Sequence, residues 1–156
     1  MSLFESLLVS FISTLGWSIY FNAPKKDLLY CSLTGTIGWI TCSFIETSSN
    51  NIMLANFLAS FIVSLFSEFL ARKLKRPAIL YIIPGIIPLV PGLSIYNTML
   101  ELIQGRYIEA LETATKVGMI SGAIVMGMLI ITSVLKGLRR IKHLKAIEKI
   151  KSMKKK

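Results

Sequence analysis

The chain has 156 residues, of which 53% are hydrophobic and 17% charged, a balance that leaves too little polar surface for a water-soluble domain. Its 18 Lys and Arg against 8 Asp and Glu give a formal net charge of +10, yet these charges sit in a few clusters between long uncharged runs. An ordinary soluble fold is excluded, and the pattern points to an all-α, polytopic membrane protein with little chain left for a separate soluble core.

The first uncharged run, Ser6 to Pro24, lies between Glu5 and Lys25 and is long enough for a spanning helix. It lacks the basic start and small-residue cleavage pattern of a signal peptide, and Glu5 stands where positive charge would be expected. After the polar turn Asn22 to Asp27, a second run extends from Leu28 to Ile45, so the two spans are expected to form a tight helical hairpin. The turn-like Thr47-Ser48-Ser49-Asn50-Asn51 precedes a third run from Ile52 to Ala71, interrupted only by Glu68 and closed by Arg72, Lys73, Lys75 and Arg76. From Pro77 to Leu100 there is no charge, but Pro84, Pro88 and Pro91 must break any helix there. The last run, Val117 to Leu135, lies between Lys116 and Lys136, and the tail beyond it is basic.

Five crossings put Lys25, Lys26, the four basic residues from Arg72 to Arg76 and the ten of the tail on one face, with only Arg106 and Lys116 opposite. A re-entrant fourth segment would move the ten tail residues outside, so the positive-inside rule selects five. The expectation is a five-span transmembrane domain over residues 1–135, its fourth helix broken by prolines, and a basic cytoplasmic tail over 136–156. The N-terminus lies outside and the C-terminus in the cytoplasm of a multi-pass cell-membrane protein.

The proline-rich stretch Pro84-Gly85-Ile86-Ile87-Pro88-Leu89-Val90-Pro91-Gly92 carries the most chemical information. Each proline lacks the N–H that bonds the carbonyl four residues earlier, so the carbonyls of Leu80, Pro84 and Ile87 lose their usual partners. Pro77, Pro84, Pro88 and Pro91 fall within about 60° on a helical wheel, which places the freed groups on one stripe. A discontinuous helix facing a polar cavity is how many secondary transporters hold small polar substrates. The competing reading is a kinked helix that merely packs on its neighbours. Ser94, Tyr96, Asn97 and Thr98 follow the break, and Ser94 is placed to cap a restarting helix whose positive end attracts a carboxylate. Interhelical hydrogen bonding is the alternative use of these residues.

Glu68 is an intramembrane acid and so a candidate for proton coupling. Arg72 follows it by four residues, a spacing that favours a simple ion pair. Gly35 and Gly38, and Gly118 and Gly122, are expected to permit close helix contact. Cys31 and Cys42 lie roughly 16 Å apart along one helix, too far to bridge. The lone His143 has no second ligand at helical spacing, so no metal site is expected. No cofactor is expected either, and with only Glu68 and scattered hydroxyls in the spans the chain does not read as an enzyme. In the tail, Leu138, Ile141, Leu144, Ile147, Ile150 and Met153 recur every three residues among Lys and Arg. A period of three drifts by about 60° per step around an α-helix, so this is a weakly amphipathic helix held to anionic lipid mainly by charge. It lacks aromatic stacking residues, which argues against nucleic acid.

Phe21-Asn22-Ala23-Pro24, then Leu28, Cys31, Leu33, Gly35, Ile37 and Gly38, then Ile87-Pro88-Leu89-Val90-Pro91-Gly92 with Ser94 and Tyr96, resemble the small membrane subunit of the threonine/serine exporter family. The resemblance covers nearly the whole chain up to the tail. It implies a five-span half of a ten-span transporter, whose other half is fused or is a larger partner subunit with a cytoplasmic domain. It implies export of threonine and serine or, as in two-component members, of a dicarboxylate such as succinate. The candidate substrate path is then Asn22, Pro84, Gly85, Pro88, Pro91, Gly92, Ser94, Tyr96 and Asn97, with Glu68 for proton coupling. A non-transporting membrane scaffold or assembly subunit is the alternative function, and a homo-oligomer an alternative assembly.

Overall fold

The structure, a computed structural model, describes residues 3–153, with side chains described over residues 4–135. The described residues form helices only: α1 (Leu3–Tyr20), α2 (Leu28–Ser49), α3 (Ile52–Leu74), α4 (Ile79–Ile86), a 3-10 turn (Ile87–Leu89), α5 (Gly92–Ile103) and α6 (Tyr107–Met153). Local chemistry sets several boundaries. Asn51 caps α3 through a side chain that accepts from the N–H groups of Met53 and Leu54 at 3.0 and 3.1 Å. Asn50 and Lys75, both at positive φ, end α2 and α3 in left-handed turns.

Three helices are long and apolar enough to cross a membrane: Leu28–Ser49, Ile52–Leu74 and Tyr107–Leu135. The pair Ile79–Leu89 and Gly92–Ile103, bent by 53°, makes a fourth if it is one span. Length and composition thus support three spans among the described residues, or four with the bent pair, and leave α1 as the fifth candidate. The 18 residues of α1 reach about 27 Å, just short of the ~30 Å hydrocarbon core, and its first turn carries Glu5. The last helix also begins ten residues earlier than the charge pattern implied. Lys116 pairs with Glu112 at 3.1 Å within it, so the loop before α6 shrinks to residues 104–106.

Small side chains let these helices approach closely. Ser10, Thr14 and Ser18 lie at intervals of four on the buried face of α1, and each hydroxyl donates to a carbonyl of its own helix at 2.7–3.1 Å. Satisfied within the helix, they need no polar partner across the contact. A Cβ on Gly35 of α2 would collide with Thr14, and one on Gly38 would come within 2.5 Å of Val63 on α3. Both glycines therefore serve the packing expected of them. Gly118 and Gly122 do not: a Cβ on either meets nothing within 4 Å, and the close approach of α6 to α3 is at Gly127, against Ser60, Phe57 and Phe61. Spacing alone picked the wrong pair because the α6 face toward α3 is set by Ile120, Ile124 and Gly127.

α3 is the central helix, packed by α2, α4 and α6. One core cluster joins Cys42, Ala55, Ala59, Val63, Leu89, Ile120 and Ile124; a second, nearer the α1–α2 loop, joins Cys31, Leu70, Ala71 and Tyr81. α6 continues as backbone helix to Met153, whereas the expected lipid-facing stripe of the tail lies outside the described side chains.

Candidate functional site

The prolines act where the chain breaks. Pro84 is accommodated inside α4 and is fully buried, while Pro88 tightens the backbone into the 3-10 turn. Val90 is extended at ψ 129 and Pro91 holds the N-cap position of α5. Of the three carbonyls expected to lack partners, two have found them. The Cys31 thiol donates to the Leu80 carbonyl at 3.4 Å, and the Val90 N–H to the Ile87 carbonyl at 3.2 Å. The expected stripe of bare carbonyls is thus largely closed from within.

At the break the helices leave a cavity of about 200 Å³ whose walls include Trp39, Glu46, Asn56, Pro88, Pro91 and Ser94. It is polar at two points that sequence reasoning missed. Glu46 directly follows the apolar run Leu28 to Ile45, and Asn56 stands among the hydrophobic residues of α3, so sequence alone marks neither. Asn56 is 4% exposed and donates through its amide nitrogen to the Ile52 carbonyl at 2.8 Å.

The candidate substrate-path residues divide among four places. Pro88, Pro91, Gly92 and Ser94 line the cavity. Ser94 does not cap α5, however: the helix restarts earlier, at Gly92, with no side-chain cap, because Pro91 already supplies a helix-compatible φ of −75°. Pro84 and Gly85 are buried in the packing of α4, where a Cβ on Gly85 would come within 2.9 Å of both Thr34 and Val63. Tyr96 and Asn97 are exposed on α5 and are not part of the cavity wall. Asn22, at φ 54, shapes the exposed α1–α2 turn near the start of α4, away from the break.

Glu68 is buried on α3, 3% exposed. Arg72, one turn further on, is exposed, and ion pairs among the described residues include Arg76–Asp27 and Lys116–Glu112. A second buried carboxylate is Asp27, although it stands in the charged turn Lys25-Lys26-Asp27. It is 3% exposed, accepts from the Tyr81 hydroxyl at 2.9 Å, and has its Oδ2 3.4 Å from Arg76 Nε. These contacts tie the α1–α2 loop to the junction of α3 and α4.

Residues 6–134 match the family described as Threonine/Serine exporter, ThrE. A relative from Haemophilus influenzae, described as an uncharacterized protein, is 24% identical over 136 residues, which cover 82% of this chain and 46% of the relative. The chain thus spans a little under half the length of that relative. No solved structure matches the chain.

Proposed function

The chain belongs to the threonine/serine exporter family, and on that premise we propose that it is one part of a secondary transporter that exports small polar metabolites across the cell membrane. Threonine and serine are the first substrates to test, and a dicarboxylate such as succinate the alternative. The observation that carries the reading is the cavity at the break between α4 and α5. The bend of 53° is well short of a reversal, which supports reading the two half-helices as one broken span. With α1 as a further crossing, the five-span arrangement follows, with the N-terminus outside and the basic tail in the cytoplasm.

A larger partner subunit completes the pathway. The matching relative is about twice as long as this chain, and α5 has no buried residue of its own. Its Leu93, Tyr96 and Ile103 are 75%, 64% and 84% exposed, which suits a helix covered by lipid or by the other half of a transporter. Family membership and the apolar helices favour a transporter over an enzyme.

Efflux from vesicles loaded with threonine, serine or succinate tests the proposal. The chain together with a larger membrane protein of the same family is expected to transport, and the chain alone to leave efflux at the background rate, because half a transporter supplies only one wall of a site. A complex that assembles but releases none of the three would return the chain to the scaffold reading.

A further inference from the structure

Three aromatic side chains gather at the end of α1. Trp17 and Tyr20 meet edge to face at 5.6 Å, Trp17 and Phe21 stack at 6.0 Å, and all three are exposed. Exposed Trp and Tyr at a helix end suit the headgroup level of a bilayer, where one part of the ring system is apolar and the other wet. Phe21 also walls a groove of about 220 Å³ together with Ala23, Pro77, Ile79, Leu80 and Ile83, and no polar side chain lines it. Phe21, Ile79 and Ile83 are exposed, so the groove opens away from the helix packing.

Cations stand beside the groove. Residues 21–31 and 70–84 hold Lys25, Lys26, Arg72, Lys73, Lys75 and Arg76 against a single acid, Asp27. That acid is buried, and its contact with Arg76 at 3.4 Å draws Lys25 and Lys26 to the α3–α4 junction, next to Pro77 in the groove wall. Both lysines are exposed, and nearly half of the Arg76 side chain stays exposed beyond its contact with Asp27. The apolar helix α3 ends at Leu74, so in a bilayer that it spans this cluster lies at the membrane surface.

We propose that this end of the molecule binds an anionic phospholipid, with an acyl chain in the groove and the phosphate held by Lys25, Lys26 and Arg76. Charge complementarity selects the headgroup, since each Lys or Arg near the surface attracts an anionic lipid and gains far less from a zwitterionic one. The groove selects the rest of the ligand. A soluble phosphate would satisfy the cations and leave the apolar wall uncovered, whereas a phospholipid covers both. The contact of Asp27 with Arg76 gives the site its shape by fixing together the two loops that carry the cations. The site is independent of what the chain transports.

Trp17 reports on the groove through its stack on Phe21. In the full chain carrying Trp39→Phe it is the only tryptophan, since the sequence holds two. That protein is placed in phosphatidylcholine vesicles with a fixed share of lipid brominated on its acyl chains, either phosphatidylglycerol or phosphatidylcholine, and the quenching of Trp17 is measured. Phosphatidylglycerol is expected to be preferred by at least about 5-fold. Lys25→Gln with Lys26→Gln should bring the preference to within about 2-fold while quenching by brominated phosphatidylcholine stays the same, and Lys25→Arg with Lys26→Arg should keep the preference. Replacing Lys154, Lys155 and Lys156 by Gln removes three charges at the other end of the sequence and should leave the preference intact. Glycerol phosphate, a headgroup without chains, should not relieve the quenching. Equal quenching by the two brominated lipids overturns the assignment, as does a preference that survives loss of the lysine pair. An equal loss in the tail variant would reduce the effect to diffuse surface charge, and displacement by glycerol phosphate would reduce it to a soluble-anion site; either result overturns the lipid assignment.

Discussion

The Tyr81 hydroxyl donates to Asp27 Oδ1 at 2.9 Å, joining α4 to the residue just before α2 across 54 positions of sequence. Tyr81 is fully buried and Asp27 nearly so, and Arg76 reaches the other carboxylate oxygen from the α3–α4 junction. The contact anchors the first half-helix of the broken segment at the end opposite the cavity. Replacing Tyr81 by Phe keeps the ring and removes the donor, leaving a buried carboxylate short of a partner. The expected cost is about 1–3 kcal/mol, read as a lowered unfolding midpoint in detergent. Arg76 is nearly half exposed, so its removal should cost less than that of the Tyr81 hydroxyl.

Cys31 supplies the donor that Pro84 cannot supply to the Leu80 carbonyl. Cys31→Ser keeps a donor at that position, whereas Cys31→Val fills the space without one. The Val variant is expected to be the less stable of the two by about 0.5–1.5 kcal/mol, measured by the same unfolding assay. Equal stabilities would mean that the carbonyl does not need the thiol.

Gly127 and Gly118 make a matched pair on α6. A methyl group at 127 would collide with the Ser60 side chain and the α3 backbone, and one at 118 meets open space. Gly127→Ala should therefore cost about 1–3 kcal/mol through overpacking. In the isolated chain Gly118→Ala should be neutral, or stabilising by up to about 1 kcal/mol through helix propensity.

The helical architecture was legible because each span is bracketed by charge: Lys25 and Lys26 before α2, and Arg72 to Arg76 after α3, mark ends that the structure keeps within a few residues. The break was legible too, since Pro88 and Pro91 forbid a regular helix whatever surrounds them. What surrounds them was not. Which carbonyls stay open depends on contacts such as Cys31 with Leu80, and these are set by how helices far apart in sequence pack. The same holds for Asp27, whose burial follows from the approach of Tyr81 and Arg76, and for Glu46 and Asn56, which line one cavity only once α2 and α3 pack beside the break. A charge at the edge of an apolar run reads as a boundary until the fold supplies its neighbours.

Reporter fusions at the two ends test the five-span arrangement. A reporter at Lys156 should be found in the cytoplasm and one at the N-terminus outside, because the basic residues divide 16 to 2 between the faces that five crossings create. Both reporters on one side would require an even number of crossings and would remove α1 or the bent pair from the membrane-spanning set.

The most direct measurement is the efflux of threonine, serine and succinate by the complex carrying Pro88→Ala and Pro91→Ala together, normalised to assembled complex in the membrane. The two substitutions return backbone donors and allow α4 to run on toward α5, which erases the bend that shapes the cavity without adding bulk. If the break is the substrate path, the protein still inserts and assembles while normalised efflux falls sharply. If normalised efflux of each substrate is unchanged, the bend is only a matter of packing and the site lies elsewhere.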